Sequence, residues 1–177
     1  MNKFIELKQN SKGESEDLSA LLFCAKIIKN ENKDPIVYTT RVLIKGYFAY
    51  GTDSKRLHRA KLSRKYKDGL YRVLKCQKKH IILYKSENLK DGIYPNYNRF
   101  FKNIGRNQIL FKEYIDSDNY SAVYTKIIRS IPQNVTLNYE WLKDINGQYS
   151  IKFNEKFGIV IFENDNKVAV VMIIKIF

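Results

Sequence analysis

Apolar positions change their spacing along the chain, and each change marks an element. Lys3–Lys8 reads as a first strand, and Ser11–Asp17 as a polar connection in which Ser15 or Asp17 can cap a following helix. Leu18, Leu21, Leu22, Ala25 and Ile28 then recur at steps of three and four, with Ser19, Lys26 and Lys29 on other faces. That spacing predicts an amphipathic helix with a partly basic back. From Ile36 the pattern turns to β-branched and aromatic residues. Ile36–Ile44 and Tyr47–Tyr50, punctuated by Gly46 and Gly51, predict a hairpin. Leu57–Leu62, Gly69–Cys76 and His80–Lys85 predict further strands of an antiparallel sheet, separated by basic turns at Ser63–Asp68 and Gln77–Lys79.

Around Asp91–Phe101 glycine and proline mark a turn rich in aromatic residues, where one half of the chain hands over to another. Beyond it, Gln108–Ile115 and Ala122–Ile128 read as strands, and Asn138–Ile145 as a short second helix containing Trp141. Ser150–Phe153, Phe157–Glu163 and Lys167–Phe177 close the chain as strands, with Asn164–Asn166 as a tight turn. The order of elements predicts an α+β fold of antiparallel sheets with two helices, a single domain over 1–177 with two pseudo-equivalent halves of about 1–94 and 95–177. No sequence repeat of fixed period accompanies that rhythm.

Composition is that of a globular protein: 44% hydrophobic and 28% charged residues, with three prolines and eight glycines. The net charge of +14 points to a polyanionic partner such as nucleic acid or an anionic membrane. Abundant Lys, Asn, Ile and Tyr are also what an AT-rich genome supplies, so the distribution decides between the two. Lys55 to Lys90 holds 13 Lys or Arg against only Asp68 and Glu87, a local excess of +11. Such clustering marks a surface that faces a polyanion. Cys24 and Cys76 lack paired spacing, and the start of the chain lacks a long apolar stretch, which together predict a reducing, cytoplasmic setting. The longest apolar run, Val168–Ile174, is far shorter than the ~20 residues a membrane span needs.

Three segments taken together resemble the bacterial DNA sliding clamp, the processivity factor of replicative DNA polymerase. Gly46–Leu57 (Gly-Tyr-Phe-Ala-Tyr-Gly-Thr-Asp-Ser-Lys-Arg-Leu) is similar to the family's strand running into a Thr-Asp-x-x-Arg-Leu turn. Gly92–Phe100 (Gly-Ile-Tyr-Pro-Asn-Tyr-Asn-Arg-Phe) is similar to its aromatic-Pro-Asp-Tyr-x-Arg segment, and Val168–Phe177 to its closing strand. The chain departs from the family pattern at Ser54-Lys55 (usually Gly-His), at Asn96 (Asp) and at Ile173 (Pro). The segments also lie closer together than complete clamp domains require, as in a shortened homologue of the kind a phage or mobile element would carry.

The resemblance implies a non-enzymatic accessory protein of DNA replication. Its hydrophobic cleft for clamp-motif peptides of polymerase or clamp loader would be lined by Thr52, Ser54, Lys55, Arg56, Leu57, Pro95, Phe100, Val170, Met172 and Ile174. It also implies non-specific contact of Lys and Arg with the phosphates of duplex DNA, for which Lys26, Lys29, Arg99, Lys102 and Arg106 are the candidates. A ring built from a chain worth one clamp domain would need about six copies. No cofactor and no metal are expected.

The competing reading is a basic DNA-binding or nuclease-like protein, and the chain gives chemistry little support. His58 and His80 are isolated, there is no phosphate-binding Gly-rich loop, and Asp165-Asn166-Lys167 reads as a turn before it reads as a metal-binding carboxylate set. Glu14, Glu16 and Asp17 read as a cap and loop.

Overall fold

A computed structural model describes residues 3–9, 15–34, 36–86 and 108–176. The handover segment, with Pro95, Arg99 and Phe100, and the neighbouring Lys102 and Arg106 lie outside the described residues. The chain divides into two compact units, Met1–Pro95 and Asn96–Phe177.

In the first unit the strands run in the order β1 (Phe4–Lys8), β6 (His80–Lys85), β5 (Gly69–Gln77), β2 (Arg41–Lys45), β3 (Phe48–Thr52) and β4 (Arg56–Lys61). Each neighbouring pair is antiparallel. Helix α1 (Glu16–Ala25) packs on the sheet, and Ser15 caps it by accepting the Leu18 N–H at 3.1 Å. Asp17 serves instead as a buried tie: its carboxylate accepts the Ser63 N–H at 2.6 Å and the Tyr66 hydroxyl at 2.7 Å. Val42, Ile44, Ala49, Ala60, Ile81 and Leu83 form the covered sheet face, all fully buried. Each large aliphatic side chain so buried contributes about 1.5–3 kcal/mol.

The helix differs from its expected character. Leu18, Ala20, Leu21, Leu22, Phe23, Cys24 and Ala25 are all buried, so α1 is a core helix with no basic back, and Lys26 and Lys29 lie beyond its last residue. The signal was Ala20, Phe23 and Cys24, which fill the faces left open by the Leu18-Leu21-Leu22 stripe. Ile36–Ile44 is likewise not one strand. Val37–Thr40 forms a 3-10 helix before β2 begins, because the Thr39 and Thr40 hydroxyls donate back to the carbonyls of Ile36 and Val37 at 2.7 and 2.9 Å.

The sheet of the second unit runs β11 (Lys167–Met172), β10 (Ile159–Glu163), β9 (Gly147–Asn154) and β7 (Gln108–Ile115), antiparallel throughout. Asn164 closes the β10–β11 turn, its side-chain oxygen accepting the Asn166 and Lys167 N–H groups at 3.1 and 2.7 Å. One expectation fails outright here. Ala122–Ile128 is part of helix α2 (Tyr120–Ser130), not a strand, because Val123 and Ile127, four residues apart, are the pair buried while Thr125 and Lys126 between them face outward. Hydrogen bonds within Asp116–Asn119 turn the chain into that helix, and tertiary burial overrides the strand preference of Val, Tyr, Thr and Ile. Asn138–Ile145 is a 3-10 helix at Tyr139–Asp144, capped by Asn138 on the Glu140 N–H at 2.9 Å. The closing strand is also interrupted. It leaves β11 at Met172, and β12 (Ile174–Lys175) pairs with β8 (Val135–Thr136) in a separate two-stranded sheet.

Candidate functional site

The β3–β4 turn is built by Asp53. Its carboxylate accepts the N–H groups of Lys55 (2.9 Å) and Arg56 (2.6 Å) and the Arg56 Nε (2.8 Å), while the Thr52 hydroxyl donates to the Arg56 carbonyl at 2.6 Å. Ser54 sits at φ 75°, in the left-handed region that glycine occupies at least cost. This network fixes the turn from within and turns Ser54 and Lys55 out to solvent, with Arg56 half-buried beside Asp53. Thr52 and Leu57 are buried, at 2% and 4% exposure, so at this turn a ligand would meet Ser54, Lys55 and Arg56 rather than Leu57.

On the closing segment Val170 is buried at 5% exposure, whereas Met172 and Ile174 are each 46% exposed and Ile176 is 56% exposed. Between them Ile173 donates its N–H to the Gly158 carbonyl at 2.9 Å, which holds the chain in place. Three large apolar side chains at alternate positions are thus presented to solvent by a segment anchored through backbone hydrogen bonds.

Of the basic candidates in the described residues, Lys26 is exposed at the end of α1, and Lys29 is ion-paired with Asp34 at 2.5 Å. Sequence reasoning missed Lys126 and Arg129. Both are exposed on α2 and, with Ser121, Ala122, Thr125 and Ser130, line a shallow groove of about 510 Å³. Reading this segment as a strand hid them; the four-residue spacing of Val123 and Ile127 was the available signal.

His58 is fully buried, stacked on Phe23 with ring centroids 4.1 Å apart, and its Nδ1–H donates to the Phe23 carbonyl at 2.8 Å. Burial pushes its pKa down to about 3, the hydrogen bond to Phe23 only partly opposing the shift. It is a neutral core residue. His80 pairs with Glu6 at 2.9 Å. Among the described residues no three His, Cys, Asp or Glu side chains are grouped to hold a metal, and no helix is long and apolar enough to cross a membrane.

No protein-family model and no curated protein matches the sequence. Solved structures do. The chain is similar over 99% of its length to the Helicobacter pylori beta clamp bound to a DNA ligase peptide, with a TM-score of 0.53 and 14% identity. It matches a DNA polymerase sliding clamp of Pseudomonas aeruginosa over the same share, with a TM-score of 0.59 and 13% identity. The Thermotoga maritima DNA polymerase III beta subunit follows at 0.55 and 10%. This is the sliding-clamp fold. The chain spans 66–67% of the length of these clamps.

Proposed function

We propose that this chain is a clamp-like accessory protein of DNA replication that binds short peptide motifs of polymerase or clamp-loader type. In the second unit Met172 and Ile174, next to the buried Val170, supply the apolar anchor; in the first unit Ser54, Lys55 and Arg56, on a turn held by the buried Thr52 and Leu57, offer polar contacts. One observation carries the reading. A chain of sliding-clamp fold exposes Met172 and Ile174, residues that the sequence resemblance assigns to the peptide cleft, when burial is the rule for such side chains. Flexible Met beside branched aliphatics suits an adaptable apolar anchor. The peptide-bound state of the Helicobacter pylori clamp agrees in kind.

Duplex DNA would be met through its phosphates by exposed cations, Lys26 in the first unit and Arg129 in the second, with no base reading, in a cytoplasmic setting; Lys126, like Lys29, is ion-paired, with Glu113 at 2.7 Å. Six clamp-type domains close a ring in the family. A ring of copies of this chain would be closed by self-association. The role is one of binding and calls for no cofactor.

Titration calorimetry with a short clamp-binding peptide tests the reading. The wild type is expected to bind saturably, and Met172→Ala with Ile174→Ala to weaken binding about tenfold or more, the scale of losing two apolar anchors. No saturable heat with the wild type, or equal affinity in the double variant, removes the proposal.

A further inference from the structure

Apart from Lys55 and Arg56, the basic cluster that stands out in the sequence is not used by the peptide site, and the register of the first sheet shows where part of it goes. Lys45 pairs with Phe48 and Phe48 with Lys61; in the next row Leu43 pairs with Tyr50 and Tyr50 with Arg59. Directly paired residues of antiparallel strands share a face. The alternate set, Ile44, Ala49 and Ala60, is fully buried on the other face. The outer face of β2–β3–β4 therefore carries three cations framing two aromatic rings. Phe48 and Tyr50 stand 6.4 Å apart by ring centroid, and the Arg59 guanidinium lies 5.2 Å from the Phe48 ring. Tyr47, 53% exposed, stands at the rim.

Neither row contains an acidic residue, and the acids nearby are engaged elsewhere. Asp68 accepts the Gly46 N–H at 2.9 Å, Asp17 holds Ser63 and Tyr66, and Glu31 bridges Arg41 and Arg72. The Asp68 and Asp17 bonds also pin the backbone of the loop that carries the exposed Arg64, Lys65 and Lys67, together with the Leu62 N–H to the Tyr47 carbonyl at 2.8 Å.

From this we infer that the outer face of β2–β3–β4 is a binding platform for single-stranded nucleic acid. Cations alone would hold any polyanion. Aromatic rings on an open sheet face, framed by Lys and Arg, additionally favour unpaired bases, whose faces are free to stack, over a duplex, whose base faces are already covered. Phosphates meet Lys45, Lys61 and Arg59, and bases stack on Phe48 and Tyr50. This goes beyond the peptide reading and uses none of its residues.

Fluorescence anisotropy on the full chain tests it, with labelled oligothymidine and a hairpin duplex of equal charge as probes. The wild type is expected to prefer oligothymidine. Phe48→Ala should weaken that binding about tenfold and leave the duplex unchanged, while Phe48→Tyr restores it. Lys45→Glu combined with Lys61→Glu, both at exposed positions, should weaken binding of both probes and make the remainder less salt-sensitive. Unchanged oligothymidine affinity in folded Phe48→Ala or in the folded Lys45→Glu, Lys61→Glu variant overturns the inference. Should Phe48→Ala fail to fold, Tyr47→Ala takes its place, with weaker oligothymidine binding expected and an unchanged affinity counting against the platform. Peptide titration of the same variants should be unaffected, so the two proposals fail separately.

Discussion

Gly51→Ala is expected to cost the first unit about 3 kcal/mol, the top of the range for forcing one carbon into a packed interior. A Cβ at this position would stand 2.0 Å from the Cys24 carbonyl oxygen and 2.8 Å from its carbon. Those are backbone atoms of α1, so no side-chain rotation relieves the clash, and either the helix or β3 must move. Gly51 immediately precedes Thr52, whose hydroxyl braces the β3–β4 turn, so the strain reaches the exposed Ser54 and Lys55 as well. Urea denaturation measures the loss. A cost below about 1 kcal/mol would mean that the helix does not lie this close to the strand.

Acid should loosen the same unit through His58, before its carboxylates are titrated. The folded state holds this imidazole near pKa 3 against an ordinary 6.5. A group whose folded pKa is depressed contributes stability that is complete above the unfolded value and is lost as pH falls below it. The slope is about 1.4 kcal/mol per pH unit, so roughly 2–3 kcal/mol should disappear between pH 6.5 and 4.5. The structural cause is plain: Nδ1–H is spent on the Phe23 carbonyl, and a second proton on the buried Nε2 would have no acceptor. Glu6, Glu31 and Asp34, all held below their ordinary values, add their own losses only at lower pH; the largest causes are hydrogen bonds from Lys8, Arg41 and Lys29 respectively. Denaturation at a series of pH values checks this, with His58→Gln as control. The slope in that window should vanish in the variant, and a slope that survives there would assign the effect to another group.

The strands were the most legible part of the chain. His80–Lys85 and Gln108–Ile115 appear with the bounds expected, because β-branched and aromatic runs between turn residues leave few alternatives. Helix α2 was hidden for the same reason in reverse, since Val, Tyr, Thr and Ile dominate it and only the depth of Val123 and Ile127 identifies the period. Near the site, the Thr-Asp-Ser-Lys-Arg-Leu string made the turn recognisable, but not that Leu57 points inward; one residue of strand phase decides that, and phase is set by the whole sheet. The aromatic platform was out of reach from local pattern. Lys45, Phe48 and Lys61 become neighbours only through cross-strand register, which no short window of sequence contains.

The most direct test of the clamp-like reading is hydrogen–deuterium exchange of the full chain with and without a clamp-binding peptide. Slower exchange is expected in Val168–Ile176 and in the Asp53–Leu57 turn, with the β2–β3 face unchanged. Binding that protects neither segment, or no binding at all, would contradict it.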